Sequence, residues 1–207
     1  NGIPFGDIAY RDFVMGNCPI DAPSPETVEQ FRKTIDAAEA GDAEAQYTAA
    51  MMAMEGAVGL PDFDAAVKWL QKAADVGHPG ALYELGICRL NGEGMQPDAI
   101  DAVHLLESAA DLGNVDAMLT LASIWRGAKG VPADAKKVFA WYKRAADAGS
   151  AYGWMHVGIC AFNGEGTPTD RAYALECVKT AERLGCSDAK MLYRRMERYL
   201  EENRDAE

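Results

Sequence analysis

Apolar residues recur three and four positions apart along most of the chain, which is the spacing that places them on one face of an α-helix. Ala66, Leu70 and Ala73 follow this spacing, and so does the segment 99–112. Each run stops at a glycine, as the first one does at Gly77. The pattern therefore predicts short amphipathic helices that are separated by glycine-containing turns.

The helical pattern repeats every 36 residues without an insertion or deletion. Five glycines keep this step, and four aspartates keep it as well: Gly41, Gly77, Gly113, Gly149, Gly185 and Asp62, Asp98, Asp134, Asp170. Glycine at a helix end adopts the left-handed conformation cheaply, and aspartate caps a helix N-terminus. The tetrapeptide Asn91-Gly-Glu-Gly94 recurs unchanged as Asn163-Gly-Glu-Gly166. One repeat is therefore predicted to be a helix, a turn and a second, antiparallel helix.

This register predicts where the helices lie. First helices are expected near 42–54, 78–90, 114–126 and 150–162, and second helices near 63–76, 99–112, 135–148 and 171–184. A helix opened by Ser24 and Pro25 precedes them, and a charged helix near 187–202 ends the array. Full repeats span about 45–80, 81–116, 117–152 and 153–188, within an array from 24 to 203 that has a half repeat at each end. Residues 1–23 are expected to be an extended segment and 204–207 a frayed tail.

The repeated residues resemble those of the Sel-one-like repeat family, a branch of the tetratricopeptide-like helical-pair repeats. The residues that match the family pattern in one repeat are Ala81, Leu85, Gly86, Gly92, Gly94, Asp98, Ala109, Ala110 and Gly113. The resemblance implies a right-handed all-α solenoid of antiparallel helix pairs, whose concave face is lined by the first helix of each pair. It also implies a role in protein–protein interaction, with signalling or envelope regulation in bacteria as the setting.

Composition narrows the classes of partner. The 207 residues are 49% hydrophobic and carry a formal net charge of −12, with no run of residues that resembles a membrane span. Nucleic-acid binding needs clustered Lys and Arg to neutralise phosphates, so an acidic chain argues against it. The acidic balance fits a basic partner surface, although simple solubility explains it too. We expect another protein or a peptide as partner, and no membrane insertion.

The cysteines and the N-terminus bear on the compartment. Five cysteines without paired spacing do not look like a disulfide framework, which favours a reducing compartment such as the cytoplasm. The N-terminal segment lacks the basic start and apolar run of a secretory signal. Because the chain does not begin with Met, removal of a signal and a periplasmic or secreted location stay open.

One pair of residues is a candidate for chemistry. His156 and Cys160 lie four residues apart and so share a helix face, which suits two metal ligands or a thiol activated by imidazole. A buried cysteine beside a surface histidine is the simpler interpretation. Asn-Gly-Glu-Gly is not followed by Lys-Ser or Lys-Thr, so it is interpreted as a structural turn and not as a phosphate loop. No catalytic residue, metal or cofactor is expected.

The 36-residue register also predicts the binding face. Two ladders of first-helix residues are expected on the concave side: Thr48, Glu84, Thr120, His156 and, three residues on, Met51, Ile87, Ser123, Ile159. Aromatic and arginine residues are enriched at interfaces, which adds Trp125, Arg126 and Arg89 as candidates. Trp69 and Trp141 share one slot of the repeat and are expected in the core.

The leading hypothesis for function is a non-enzymatic scaffold or adaptor that binds a partner protein or peptide on the concave face. The alternative is an inhibitor or immunity protein that occludes a single partner. A third hypothesis, from another class, is a thiol or metal enzyme that uses His156 and Cys160.

Overall fold

The computed structural model describes residues 23–128 and 130–203, and every regular element in those ranges is an α-helix. The helices are α1 (Pro25–Glu39), α2 (Ala43–Glu55), α3 (Phe63–Asp75), α4 (Pro79–Asn91), α5 (Ala99–Asp111), α6 (Val115–Ile124), α7 (Ala135–Asp147), α8 (Ala151–Asn163), α9 (Arg171–Arg183) and α10 (Ser187–Glu202). The predicted all-α fold of helix pairs is confirmed, with bounds within two residues of the prediction. The predictions for 1–22 and 204–207 lie outside the described residues.

The aspartates that recur every 36 residues make two kinds of hydrogen bond, one through the side chain and one through the backbone. The carboxylate of Asp134 accepts hydrogen bonds from the backbone N–H groups of Lys136 and Lys137 and so caps α7. Its own backbone N–H donates to the carbonyl of Trp125, at 2.8 Å, across the turn. Asp98 bonds to the carbonyl of Arg89 in the same way. Each aspartate thus closes one helix pair and starts its second helix.

First helices begin with a different set of caps. Asp42, Asn114 and Ser150 accept a backbone N–H at α2, α6 and α8. At α4 the cap is His78, whose Nδ1 accepts the N–H of Ala81 at 3.1 Å. Sequence reasoning missed this cap because histidine is not among the preferred capping residues.

The chain divides into two compact units, and the first spans residues 1–112. In its described part, α1 to α5 pack against one another in sequence order, each successive pair of helices being in contact. Small residues dominate the core, including Ala49, Ala50 and Ala66, which lets the helix axes approach closely. Trp69 and Leu70 fill the space between them and are fully buried.

The second unit spans residues 113–207 and contains α6 to α10. One core cluster joins α6, α7, α8 and α9 around Val157, Cys160 and Cys177. Another is centred on Val178 and includes Met196 of α10. In α10 only Ala189 and Met196 are buried, so the helix that ends the described array presents a mostly polar exterior. None of the helices in residues 23–128 and 130–203 combines the length and the apolar character that a membrane crossing requires.

Candidate functional site

Thr48 and Arg89, two of the predicted site residues of the first unit, make contacts within their own repeats. Thr48 is half-buried, and its hydroxyl donates to the carbonyl of Glu44 at 2.9 Å. Arg89 forms an ion pair with Asp101, Nε to Oδ2 at 2.6 Å, and donates to the carbonyl of Gln96 at 3.2 Å. Arg89 therefore fastens α4 to the turn and to α5, which gives it a structural task as well as a place on the surface. Glu84 is half-buried on α4.

Three of the predicted residues lie near one another in the second unit. The guanidinium of the exposed Arg126 lies 5.4 Å from the centre of the Tyr142 ring. The His156 ring stacks on the same Tyr142 ring, with the two ring centres 4.4 Å apart and the planes tilted by 10°. The half-exposed Tyr152 lies 4.9 Å from His156. Together with Cys160 these residues form what we call the Arg126 cluster: Arg126, Tyr142, Tyr152, His156 and Cys160.

Two further predicted residues of this unit lie on the preceding first helix: Thr120 is in α6, and Trp125 follows its last residue. Trp125 is half-buried, and the ammonium of Lys137 lies 3.4 Å from the centre of its ring. An ammonium over a tryptophan ring is attracted electrostatically by the ring face. Thr120 is half-buried, one repeat before His156 in the register.

Burial sets the protonation states in the Arg126 cluster. It lowers the pKa of His156 to about 4, and the positive charge of Arg126 adds to the effect. Burial also raises the pKa of the Cys160 thiol; Glu165 reinforces the rise, whereas Arg126 opposes it. At neutral pH the pair is thus a neutral imidazole and a neutral thiol. His156 is half-buried with its Nδ1 shielded from solvent, so the expected surface histidine is instead packed between two tyrosines.

This arrangement does not favour the thiol or metal chemistry considered above. A reactive cysteine needs a lowered pKa, and here burial acts in the opposite direction. Cys160 is fully buried, which hides it from a substrate. Within residues 23–128 and 130–203, no three His, Cys, Asp or Glu side chains come together as metal ligands would.

The depressed pKa of His156 makes stability depend on pH. Because the unfolded chain binds a proton near its ordinary pKa of about 6.5 while the folded chain does so near 4, stability is lost as the pH falls through that window. We expect the wild type to lose on the order of 1 kcal/mol more unfolding free energy than His156→Gln between about pH 7 and pH 5, allowing for screening of a partly exposed ring. Urea titrations at the two pH values measure the difference. His104→Gln, at an exposed histidine, is the control for loss of an imidazole; parallel wild-type and His156→Gln profiles would contradict the assignment.

A second surface feature of this unit is a groove between α8 and α10. Its volume is about 640 Å³, within the usual range for ligand sites. The apolar lining consists of Ile159, Phe162, Leu192, Met196 and Tyr199. The polar lining consists of Asn163, Thr169, Arg171 and Arg195. We call this feature the α8–α10 groove.

Two residues that line the groove lie in the 36-residue register of the predicted ladders. Leu192 lies one 36-residue step beyond His156, and Arg195 lies one step beyond Ile159. Sequence reasoning missed them because α10 was interpreted only as the polar end of the array. Extending the same register by one more helix would have found both residues. Arg171 carried no such signal, since the equivalent positions hold Phe63, Ala99 and Ala135.

Comparison with known proteins agrees with this architecture. The Sel1 repeat family model matches residues 43–78, 79–114, 115–150 and 155–186, more than half of the chain. No curated protein matches the chain significantly.

Solved structures of similar fold come from several bacteria. A protective antigen of uropathogenic Escherichia coli strains, which displays an SLR fold, is 30% identical with a TM-score of 0.70; the match covers 75% of this chain and 33% of that one. A Sel1 repeat protein from Oxalobacter formigenes is 26% identical with a TM-score of 0.71, over 80% of this chain and 48% of that one. This chain thus spans at most about half the length of these two proteins. The immunity protein Pa5087 from Pseudomonas aeruginosa is 21% identical with a TM-score of 0.52, over 91% and 69% of the two chains, a likeness of fold alone.

The four matched repeats coincide with the helix pairs α2–α3, α4–α5, α6–α7 and α8–α9. The 36-residue step, the paired helices and the family match point to the same conclusion: the chain belongs to the Sel1 repeat family.

Proposed function

We propose that this protein is a non-enzymatic scaffold that binds a partner protein through the first-helix face of its repeats. Sel1 repeat proteins generally act as scaffolds for protein–protein interaction. The observation that carries the proposal is the Arg126 cluster, where an exposed arginine and a half-exposed Tyr152 lie beside His156. Arginine and tyrosine are the residue types in which interfaces concentrate their binding energy.

The stacking within the cluster supports a binding role. A ring held by neighbours loses little conformational freedom when a partner covers it. The entropic cost of ordering that side chain on binding is therefore small. His156 is held by Tyr142, and Arg126 lies over the same ring. The cluster therefore offers a partner a partly buried aromatic surface with one positive charge. Thr120 and Trp125 extend this surface along α6, and Thr48, Glu84 and Arg89 are the proposed contacts of the first unit.

Affinity capture with matched variants tests the proposal. The whole chain is used as bait in a lysate of the cells that produce it, and captured proteins are quantified by mass spectrometry. We expect Arg126→Ala and Tyr152→Ala each to reduce recovery of the specific partner by at least about tenfold, the loss expected from removing an interface hot spot.

The control for this capture is Arg183→Ala, which removes the same charge from an exposed position on the second helix α9. It should recover the partner as the wild type does. Circular dichroism confirms that each variant is folded. Equal recovery by Arg126→Ala, Tyr152→Ala and the wild type would remove the Arg126 cluster from the interface.

The second candidate function is that of an inhibitor or immunity protein that occludes one basic partner. The net charge of −12 favours it, since an acidic protein associates rapidly with a basic surface. Capture of one predominant basic protein at equal stoichiometry, together with loss of that protein's activity on binding, would favour this candidate. Several partners bound without loss of activity would favour the scaffold.

A further inference from the structure

The α8–α10 groove has a charge that contrasts with the rest of the chain. The sequence holds 32 acidic and 20 basic residues, yet two arginines and no Asp or Glu line the groove among the described residues. The two arginines lie on different helices: Arg171 is the first residue of α9, and Arg195 lies in the middle of α10. A local excess of positive charge on an acidic surface favours an anionic ligand at this position.

The arginine that opens α9, Arg171, lies beside two aromatic rings. Its guanidinium lies 6.0 Å from the centre of the Phe162 ring and 5.8 Å from that of Tyr199. Those two rings contact each other edge to face, with centres 5.5 Å apart. A guanidinium positioned by aromatic rings presents its planar fork at a smaller entropic cost than a free side chain would.

The remaining lining is mostly apolar. Ile159, Leu192 and Met196 contribute aliphatic surface from two helices, and Asn163 and Thr169 add polar groups at the turn before α9. A ligand that fits this lining has a carboxylate for the arginines and an apolar group for the aliphatic floor. Carboxylates pair with arginine in the bidentate geometry that gives the strongest hydrogen bonds of this class.

We infer that the α8–α10 groove binds a peptide segment of the partner protein in which an Asp, a Glu or a terminal carboxylate adjoins a large apolar side chain. The inference rests on the proposed scaffold function and names the chemistry that one surface recognises. A second copy of this chain suits the groove less, because two molecules of net charge −12 repel one another. A nucleic acid also suits the groove less, because the acidic chain that surrounds the two arginines would repel a polyanion.

Selection from a random linear peptide library displayed on phage tests the inference. The whole chain is immobilised as wild type, Arg195→Gln and Arg194→Gln. Arg194 is the matched control, because it is the adjacent exposed arginine on α10 and does not line the groove. We expect the wild type and Arg194→Gln to enrich peptides with an acidic residue beside Leu, Ile, Met or Phe, and Arg195→Gln not to do so.

Fluorescence anisotropy with the most enriched peptide, made synthetically, then measures the size of the effect. We expect Arg195→Gln and Arg171→Gln each to weaken binding by about tenfold or more, because a charge-assisted hydrogen bond is lost. Replacing the peptide's carboxylate by the amide should weaken binding to the wild type to a similar degree. Arg194→Gln should stay within roughly twofold of the wild type.

The outcomes that overturn the inference are distinct. Absence of any enriched peptide, an enriched motif without an acidic residue, or equal affinities of Arg194→Gln and Arg195→Gln would each do so. A wild-type dimer in gel filtration that Arg195→Gln dissociates would place a second copy in the groove and overturn it as well. None of these results affects the capture experiment with Arg126→Ala, so failure of the groove and failure of the scaffold function are separable.

Discussion

Replacing Gly166 by alanine is expected to lower the free energy of unfolding by about 3–5 kcal/mol, and the thermal midpoint by about 10 °C. Gly166 ends the second Asn-Gly-Glu-Gly turn with φ +71°, in the left-handed region that costs an L-residue about 1–2 kcal/mol. A β-carbon there would lie 2.0 Å from the carbonyl oxygen and 2.5 Å from the carbonyl carbon of Ala135. The turn would have to move away from the start of α7, because both contacts are with backbone.

Gly149→Ala is the matched control for the conformational part of this effect. Gly149 has φ +93°, and a β-carbon added there would meet nothing within 4 Å. Its cost is therefore expected to be only about 1–2 kcal/mol. Urea denaturation followed by circular dichroism measures both variants. Equal costs would show that the close approach of the turn to α7 contributes nothing to stability.

Trp69→Ala is expected to destabilise the protein by about 3–5 kcal/mol, the usual cost of truncating a large buried aromatic residue. The side chain is fully buried in the first unit, in a cluster with Leu70 and Leu85. The ammonium of Lys72 lies 4.2 Å from the centre of its ring. Truncation would leave a cavity among alanines, which have no longer side chains with which to fill it.

Trp141, which occupies the same position of a later repeat, provides the comparison for Trp69→Ala. Trp141 lies 72 residues later in the register but is only half-buried, with the guanidinium of Arg144 lying 4.6 Å from the centre of its ring. Trp141→Ala is therefore expected to cost about 1–2 kcal/mol, since less apolar surface returns to water. Far-UV circular dichroism during heating compares the two without relying on tryptophan fluorescence. A Trp141→Ala cost as large as that of Trp69→Ala would mean that burial does not govern this slot.

These two tryptophans show how far the repeat register can be read as structure. The register correctly assigned both to the second helix of a pair, and it predicted both in the core. Only Trp69 is fully buried. Exposure differs because it depends on which side chains the neighbouring helices bring to each slot, and those side chains vary between repeats while the backbone positions do not.

In the candidate site, too, the register predicts where a residue lies in its repeat but not which side chains it contacts. Arg126 and His156 were selected from their residue types and register, and they do lie at one cluster with Tyr142. Arg89 was selected by the same reasoning, but its ion pair with Asp101 ties it to its own repeat. Residue type and register do not distinguish the two cases, because a salt bridge to the next helix is a contact that the repeat pattern does not encode.

The sequence by itself determined the helices, their ends, the pairing of helices and the family. These features rest on helical periodicity, caps and left-handed glycines, which are interactions between residues a few positions apart and can therefore be recognised from the order of residue types. The tertiary structure alone decided that His156 is packed between tyrosines and that Arg171 and Arg195 line one groove. Those arrangements bring together side chains from different helices, and their distances, burial and pKa values are set by packing between elements that the local pattern does not specify.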